Sequence, residues 1–145
     1  MKEKTTIELF EHYIHYWIVK LELHKKYKFV IKKDNRSSCG ASVQGDINDP
    51  IKFIIKYNTK KLKLKYKIIS VVLHELGHML HDFRCTDEAW HEYTAELFSL
   101  KTAKEYYPLL YPKMIKWTKR ALTTKTIDKA HKEGYIKALK ELGEL

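Results

Sequence analysis

Apolar side chains recur along the first part of the chain at helical spacing. Ile7, Phe10, Ile14, Trp17, Ile18 and Leu21 fall on one stripe, with Glu8, Glu11, Lys20 and Glu22 mostly off it. This pattern predicts an amphipathic helix from about Thr6 to His24. The period then changes. Tyr27-Lys28-Phe29-Val30-Ile31 reads as a strand, followed by the polar turn Lys33-Asp34-Asn35-Arg36. Gly40 to Gln44 reads as a short edge strand, Gly45 to Pro50 as a loop, and Ile51 to Tyr57 as a strong strand rich in Ile, Phe and Tyr.

The helical period returns from about Leu62 to Phe83, where Ile69, Val72, Leu73, Leu76, Met79 and Leu80 form a broad apolar stripe. Arg84-Cys85-Thr86 interrupts it. Asp87 is placed to cap the next helix, which runs to about Tyr107 and stops before Pro108. Pro112 opens a helix to about Leu122. A last helix, Ile127 to Leu142, ends at Gly143, a residue suited to the position after a helix. A helix, a few strands and a helical remainder predict an α+β fold with a small antiparallel or mixed sheet. The 145 residues fit one domain, and no repeat or Pro/Gly/Ser-rich linker divides them.

The strongest chemical signal is His74-Glu75-Leu76-Gly77-His78, inside the predicted Leu62–Phe83 helix. Residues four apart lie on one helical face, so two imidazoles there can converge on one metal ion. Glu75, turned by about 100° from His74, can stand beside the ion without occupying it and take a proton from bound water. Histidines next to Val71-Val72-Leu73 are costly unless they have partners. Zinc in a catalytic site takes three protein ligands and keeps a place for water. Glu92 is the expected third ligand. Glu96, one turn further on, can accept a hydrogen bond from the free ring N–H of a ligand histidine. Ala95 beside them would let the two helices approach closely.

HELGH followed by Glu92-Tyr93-Thr94-Ala95-Glu96 resembles the gluzincin metallopeptidases. The short spacing and the strand-rich stretch before the helix are similar to the minigluzincins. HELGHMLH with Glu92, Ala95 and Phe98 is similar to the ImmA/IrrE-like peptidases. The similarity covers about Lys28 to Pro108. It implies a zincin-like fold. It also implies a zinc-dependent endopeptidase in which Glu75 activates a zinc-bound water held by His74, His78 and Glu92. An edge strand would bind an extended peptide by strand addition, with Gly40 to Gln44 as the candidate. The chain departs from the family pattern at Glu96, where Asp or Asn is commoner.

The alternatives differ in their third ligand or in their use of the metal. His91 in place of Glu92 would resemble SprT-type proteases, which act on DNA–protein crosslinks. A regulatory protein could keep the zinc without hydrolysis. Candidates for stabilising an oxyanion are Tyr93, Tyr106, Tyr107, His91 and Arg84. His81 is expected at the surface or behind the ligands, and His12, His15, His24 and His131 are expected to be structural or exposed. Trp17, Trp90 and Trp117 read as packing anchors.

Charge adds one partner class. Lys and Arg number 28 against 18 Asp and Glu, a formal net charge of +10. The excess is compatible with nucleic acid, but Arg occurs only at Arg36, Arg84 and Arg120, whereas base-reading surfaces favour Arg. The expected partner is a peptide or protein substrate. No apolar run approaches a membrane span, and the first ten residues carry no secretory apolar segment. Two cysteines, Cys39 and Cys85, make neither a CxxC pair nor a disulfide framework. These features predict a cytoplasmic protein with reduced thiols; a Cys39–Cys85 bridge would require an oxidising or hyperthermophilic setting.

Overall fold

The computed structural model describes residues 2–81 and 87–145. Among them are five helices and one three-stranded mixed sheet, an α+β architecture. By its contacts the chain divides into two compact units, residues 1–75 and 76–145.

In the first unit, helix α1 (Glu3–Lys20) buries Thr6, Phe10, Ile14, Trp17 and Ile18, the apolar stripe legible in the sequence. After α1 the chain reverses through Glu22, held at φ 59°, into a 3₁₀ turn at Leu23–Lys25. Strand β1 is Lys28–Lys33, β2 is Ala41–Asp46 and β3 is Asp49–Tyr57. The order is β1-β3-β2, with β1 parallel and β2 antiparallel to β3. Side chains alternate across the sheet. Ala41, Ile55 and Tyr57 are buried. On the opposite face Lys28 lies beside Lys52, and Lys32 beside Lys56. Tyr57 stacks on Phe10, with ring centroids 4.1 Å apart and planes 15° from parallel, which joins α1 to the sheet. Glu3 adds a polar tie. Its Oε1 accepts from Lys33 Nζ at 2.8 Å and from Thr59 Oγ1 at 3.2 Å.

The Gly45–Pro50 loop expected from composition is shorter than that. Gly45 and Asp46 belong to β2, and Asp49 and Pro50 to β3, leaving Ile47 and Asn48 as the hairpin tip. Cross-strand pairing outweighs the turn-like composition. Pro50 is tolerated because the β1–β3 pairing begins only at Lys52.

Helix α2 (Lys65–Met79) carries the chain into the second unit. It buries Ile68, Ile69, Val72, Leu73, Leu76 and Met79. It stops at Met79 rather than Phe83; the Gly77 carbonyl accepts from Leu80 N at 3.2 Å and from His81 Nδ1 at 2.6 Å, so the last turn is closed by a backbone and a side-chain donor. Positions 82–83 of the expected helix, together with Arg84 and Cys85, lie outside the described residues.

The second unit is built on α3 (Glu88–Tyr106), with α4 (Tyr111–Ala121) and α5 (Lys129–Glu141) against it. Asp87 caps α3, accepting from Trp90 N at 3.0 Å. Asp128 caps α5, accepting from His131 N at 2.9 Å. Gly143 follows α5 at φ +72°, the left-handed conformation that favours glycine. The buried face of α3 is made largely of small side chains, including Thr94, Ala95, Ser99 and Ala103. Such a face permits neighbouring helix backbones to come close. Among the described residues no helix is long and apolar enough to cross a membrane.

Candidate metal centre

The site is assembled by close backbone packing. A Cβ placed on Gly77 would lie 3.0 Å from Ala95 Cα, 3.1 Å from the Ala95 carbonyl oxygen and 3.2 Å from Phe98 Cδ1. The last turn of α2 therefore runs directly against the Ala95 backbone of α3, with the Phe98 ring alongside. Gly77 directly precedes His78, and Ala95 is three residues after Glu92 on the adjoining turn. The small pair brings the turn that bears His78 and the turn that bears Glu92 together.

One ligand atom from each of His74, His78 and Glu92 lies within 4.8 Å of the other two. His78 Nε2 is 3.4 Å from Glu92 Oε1, and these side chains are only 19% and 13% exposed. Bonds of about 2.0–2.2 Å to a tetrahedral ion put neighbouring donors roughly 3.3–3.6 Å apart. The His78–Glu92 separation falls in that range. Two imidazoles and a carboxylate are also a donor set suited to zinc. His74, His78 and Glu92 could thus hold a metal ion.

Glu75 follows His74 on α2 and is half-buried. Glu96, four residues after Glu92, is 5% exposed. His91 does not enter the cluster that the two histidines form with Glu92. It precedes Glu92 on α3, and its ring meets Trp90 edge-on at 5.4 Å. His81 is held by the Gly77 carbonyl and packs edge-on against Trp90 at 5.6 Å. Among the oxyanion candidates, Tyr93 donates its hydroxyl proton to Glu141 and has Lys137 Nζ 4.3 Å from its ring centre. That bond to Glu141, with some burial, pushes its pKa up. Tyr106 is 45% exposed at the end of α3, and Tyr107 is the residue that ends that helix. Arg84 lies outside the described residues.

Sequence reasoning misses His131 and its partner Asp128. His131 Nε2 stands 3.1 Å from Glu92 Oε2, and His131 Nδ1 is 2.7 Å from Asp128 Oδ2. A local signal is present in Asp128-x-x-His131, a helix cap followed by a residue of the first turn. Nothing in the sequence shows that this turn lies on Glu92, which is 39 positions earlier in the chain.

No protein-family model, curated protein or solved structure matches the chain significantly.

Proposed function

We propose that the protein is a zinc-dependent metallopeptidase of the gluzincin type, using His74, His78 and Glu92 as metal ligands and Glu75 as general base. The observation that carries this reading is the convergence of those three side chains beside an HExxH glutamate. Zinc held by His74, His78 and Glu92 would supply Lewis acidity, which favours a nucleophilic water and an electrophilic peptide carbonyl.

The chain's own residues supply the rest. Glu75 accepts a proton from the attacking water and delivers it to the departing amine, so one carboxyl serves as base and then as acid. Glu96 is buried on α3 one turn from Glu92 and orients a ligand imidazole through its ring N–H. Strand β2, at one edge of the sheet, offers main-chain groups to an extended peptide. The substrate class is therefore a peptide or an extended segment of a protein. The presence of Glu92 rather than His91 beside the histidines favours the gluzincin arrangement over the SprT-like one.

The test is Glu75→Gln. The variant is expected to bind zinc at the stoichiometry of the parent protein and to lose peptide hydrolysis by roughly 10²–10⁴-fold, the usual contribution of a general base. A Glu75→Gln protein that cleaves a peptide library at the parental rate would rule the mechanism out.

A further inference from the structure

We infer that His131 is a positioning residue for Glu92: together with Asp128 it holds one carboxylate oxygen, so that the other is presented to the metal. The inference rests on the zinc reading above. It concerns α5, which lies outside the region that resembles known peptidases.

Glu92 divides its two oxygens between two imidazoles. Oε1 faces His78 Nε2 at 3.4 Å, on the side of the metal cluster. Oε2 faces His131 Nε2 at 3.1 Å. A carboxylate with one oxygen engaged this way is steered toward binding through the other, and its rotation about the side-chain bonds is restricted. His131 is itself fixed from behind. Its Nδ1 meets Asp128 Oδ2 at 2.7 Å, while Asp128 Oδ1 accepts from the His131 backbone N–H at 2.9 Å. Both ring nitrogens face carboxylate oxygens, so the ring's plane and its tilt are set together.

Backbone packing puts this pair where it is. Gly134 comes one turn after His131 on α5. A Cβ there would lie 2.6 Å from Tyr93 N, 2.8 Å from the Ala89 carbonyl oxygen and 2.8 Å from Glu92 Cβ. Only glycine allows α5 to sit this close to the turn of α3 that bears Glu92. A histidine one turn earlier on α5 is thereby delivered to the outer oxygen of that carboxylate. The hydrogen bonds from His131 also hold the Asp128 carboxyl below its ordinary range, consistent with a charged partner to the ring.

The test measures zinc affinity by competition with a chromophoric chelator, with thermal unfolding of the metal-free protein alongside. The variants are His131→Ala, His131→Gln and Asp128→Asn, with His78→Ala as control. His131→Ala is expected to weaken zinc binding roughly 10- to 100-fold, the usual effect of removing a group that orients a ligand. His131→Gln, whose amide N–H₂ can reach the place of Nε2, should restore most of the affinity. Asp128→Asn keeps a good helix cap and should give a smaller loss. If His131→Ala binds zinc like the parent while His78→Ala does not, the positioning role is refuted and the zinc site stands. The positioning role is equally refuted if His131→Ala and His131→Gln lose equal affinity in step with lowered melting temperature. If the parent and His78→Ala both fail to bind zinc, the metal reading falls and this inference falls with it.

Discussion

Gly77 lies so close to Ala95 that a single methyl group would sit 3.0 Å from the Ala95 Cα. Both partners at this crossing are backbone, so neither yields by changing rotamer. Gly77→Ala would gain about 1 kcal/mol of intrinsic helix propensity. Against that stands overpacking of a tight contact, about 1–3 kcal/mol. The expected outcome is a net loss of up to about 2 kcal/mol, with a fall in zinc affinity as α3 is pushed away from His78. At Gly134 the same methyl would meet backbone atoms at 2.6 and 2.8 Å, so Gly134→Ala should cost more than Gly77→Ala. Urea unfolding of both variants measures the order; a Gly134→Ala protein as stable as the parent would contradict the packing described for α5.

The two neighbouring candidates on α3 separate cleanly. Glu92→Ala removes the carboxylate that stands 3.4 Å from His78 Nε2, whereas His91→Ala removes a ring that packs on Trp90. Zinc affinity should fall far more in Glu92→Ala than in His91→Ala. The opposite order, read by chelator competition, would favour the SprT-like ligand set.

Asp87 supplies the acceptor for Trp90 N at the start of the helix that bears Glu92. Replacing it with alanine leaves that N–H without its side-chain cap. Asp87→Ala should cost about 1 kcal/mol, and Asp87→Asn much less, because asparagine caps nearly as well. Thermal unfolding of the two variants side by side measures the difference, and equal losses would show that the cap is not the cause.

The helices are the most legible part of the chain because their signals are local. The stripe through Ile69, Val72, Leu73 and Leu76, the cap at Asp87 and the terminator at Gly143 each depend on residues within a turn or two. His74 and His78 are legible for the same reason, since their spacing alone places them on one face. Glu92 and Ala95 require a second helix to be inferred, and the cap at Asp87 with the stop before Pro108 marks it out. The parallel pairing of β1 with β3 is not legible, because register between strands separated by a hairpin is a tertiary property. Gly45 and Asp46 have the composition of a loop and are nonetheless strand residues, because pairing with Phe53 and Asp49 overrides weak local preference. His131 reads as structural or exposed in the sequence, and it is 40% exposed. Its contact with Glu92 arises from the seating of Gly134 on α3, which no local pattern encodes.

Tyr57 and Tyr111 tie alkaline stability to one hydroxyl in each unit. Burial, reinforced by Glu11, pushes the Tyr57 pKa from its ordinary 10.0 up to about 12. Burial, reinforced by Glu144, does the same at Tyr111, again to about 12. The hydroxyls donate to Glu11 and Glu144, each at 3.3 Å, and a phenolate could not. The folded protein therefore holds these protons more tightly than the unfolded chain. The stabilisation is complete below pH 10, where both states are protonated. It is lost as pH rises through about 12, because the unfolded chain releases its protons first. At neutral pH, Tyr57→Phe should be less stable than the parent by about 1 kcal/mol, the net worth of a typical hydrogen bond. Raising the pH from about 9 toward 12 should then cost Tyr57→Phe less than it costs the parent, so the two urea midpoints converge. Tyr111→Phe should converge likewise, and the double variant should show the flattest profile. Parallel pH profiles for the parent and the double variant would mean that neither hydroxyl governs the alkaline limb.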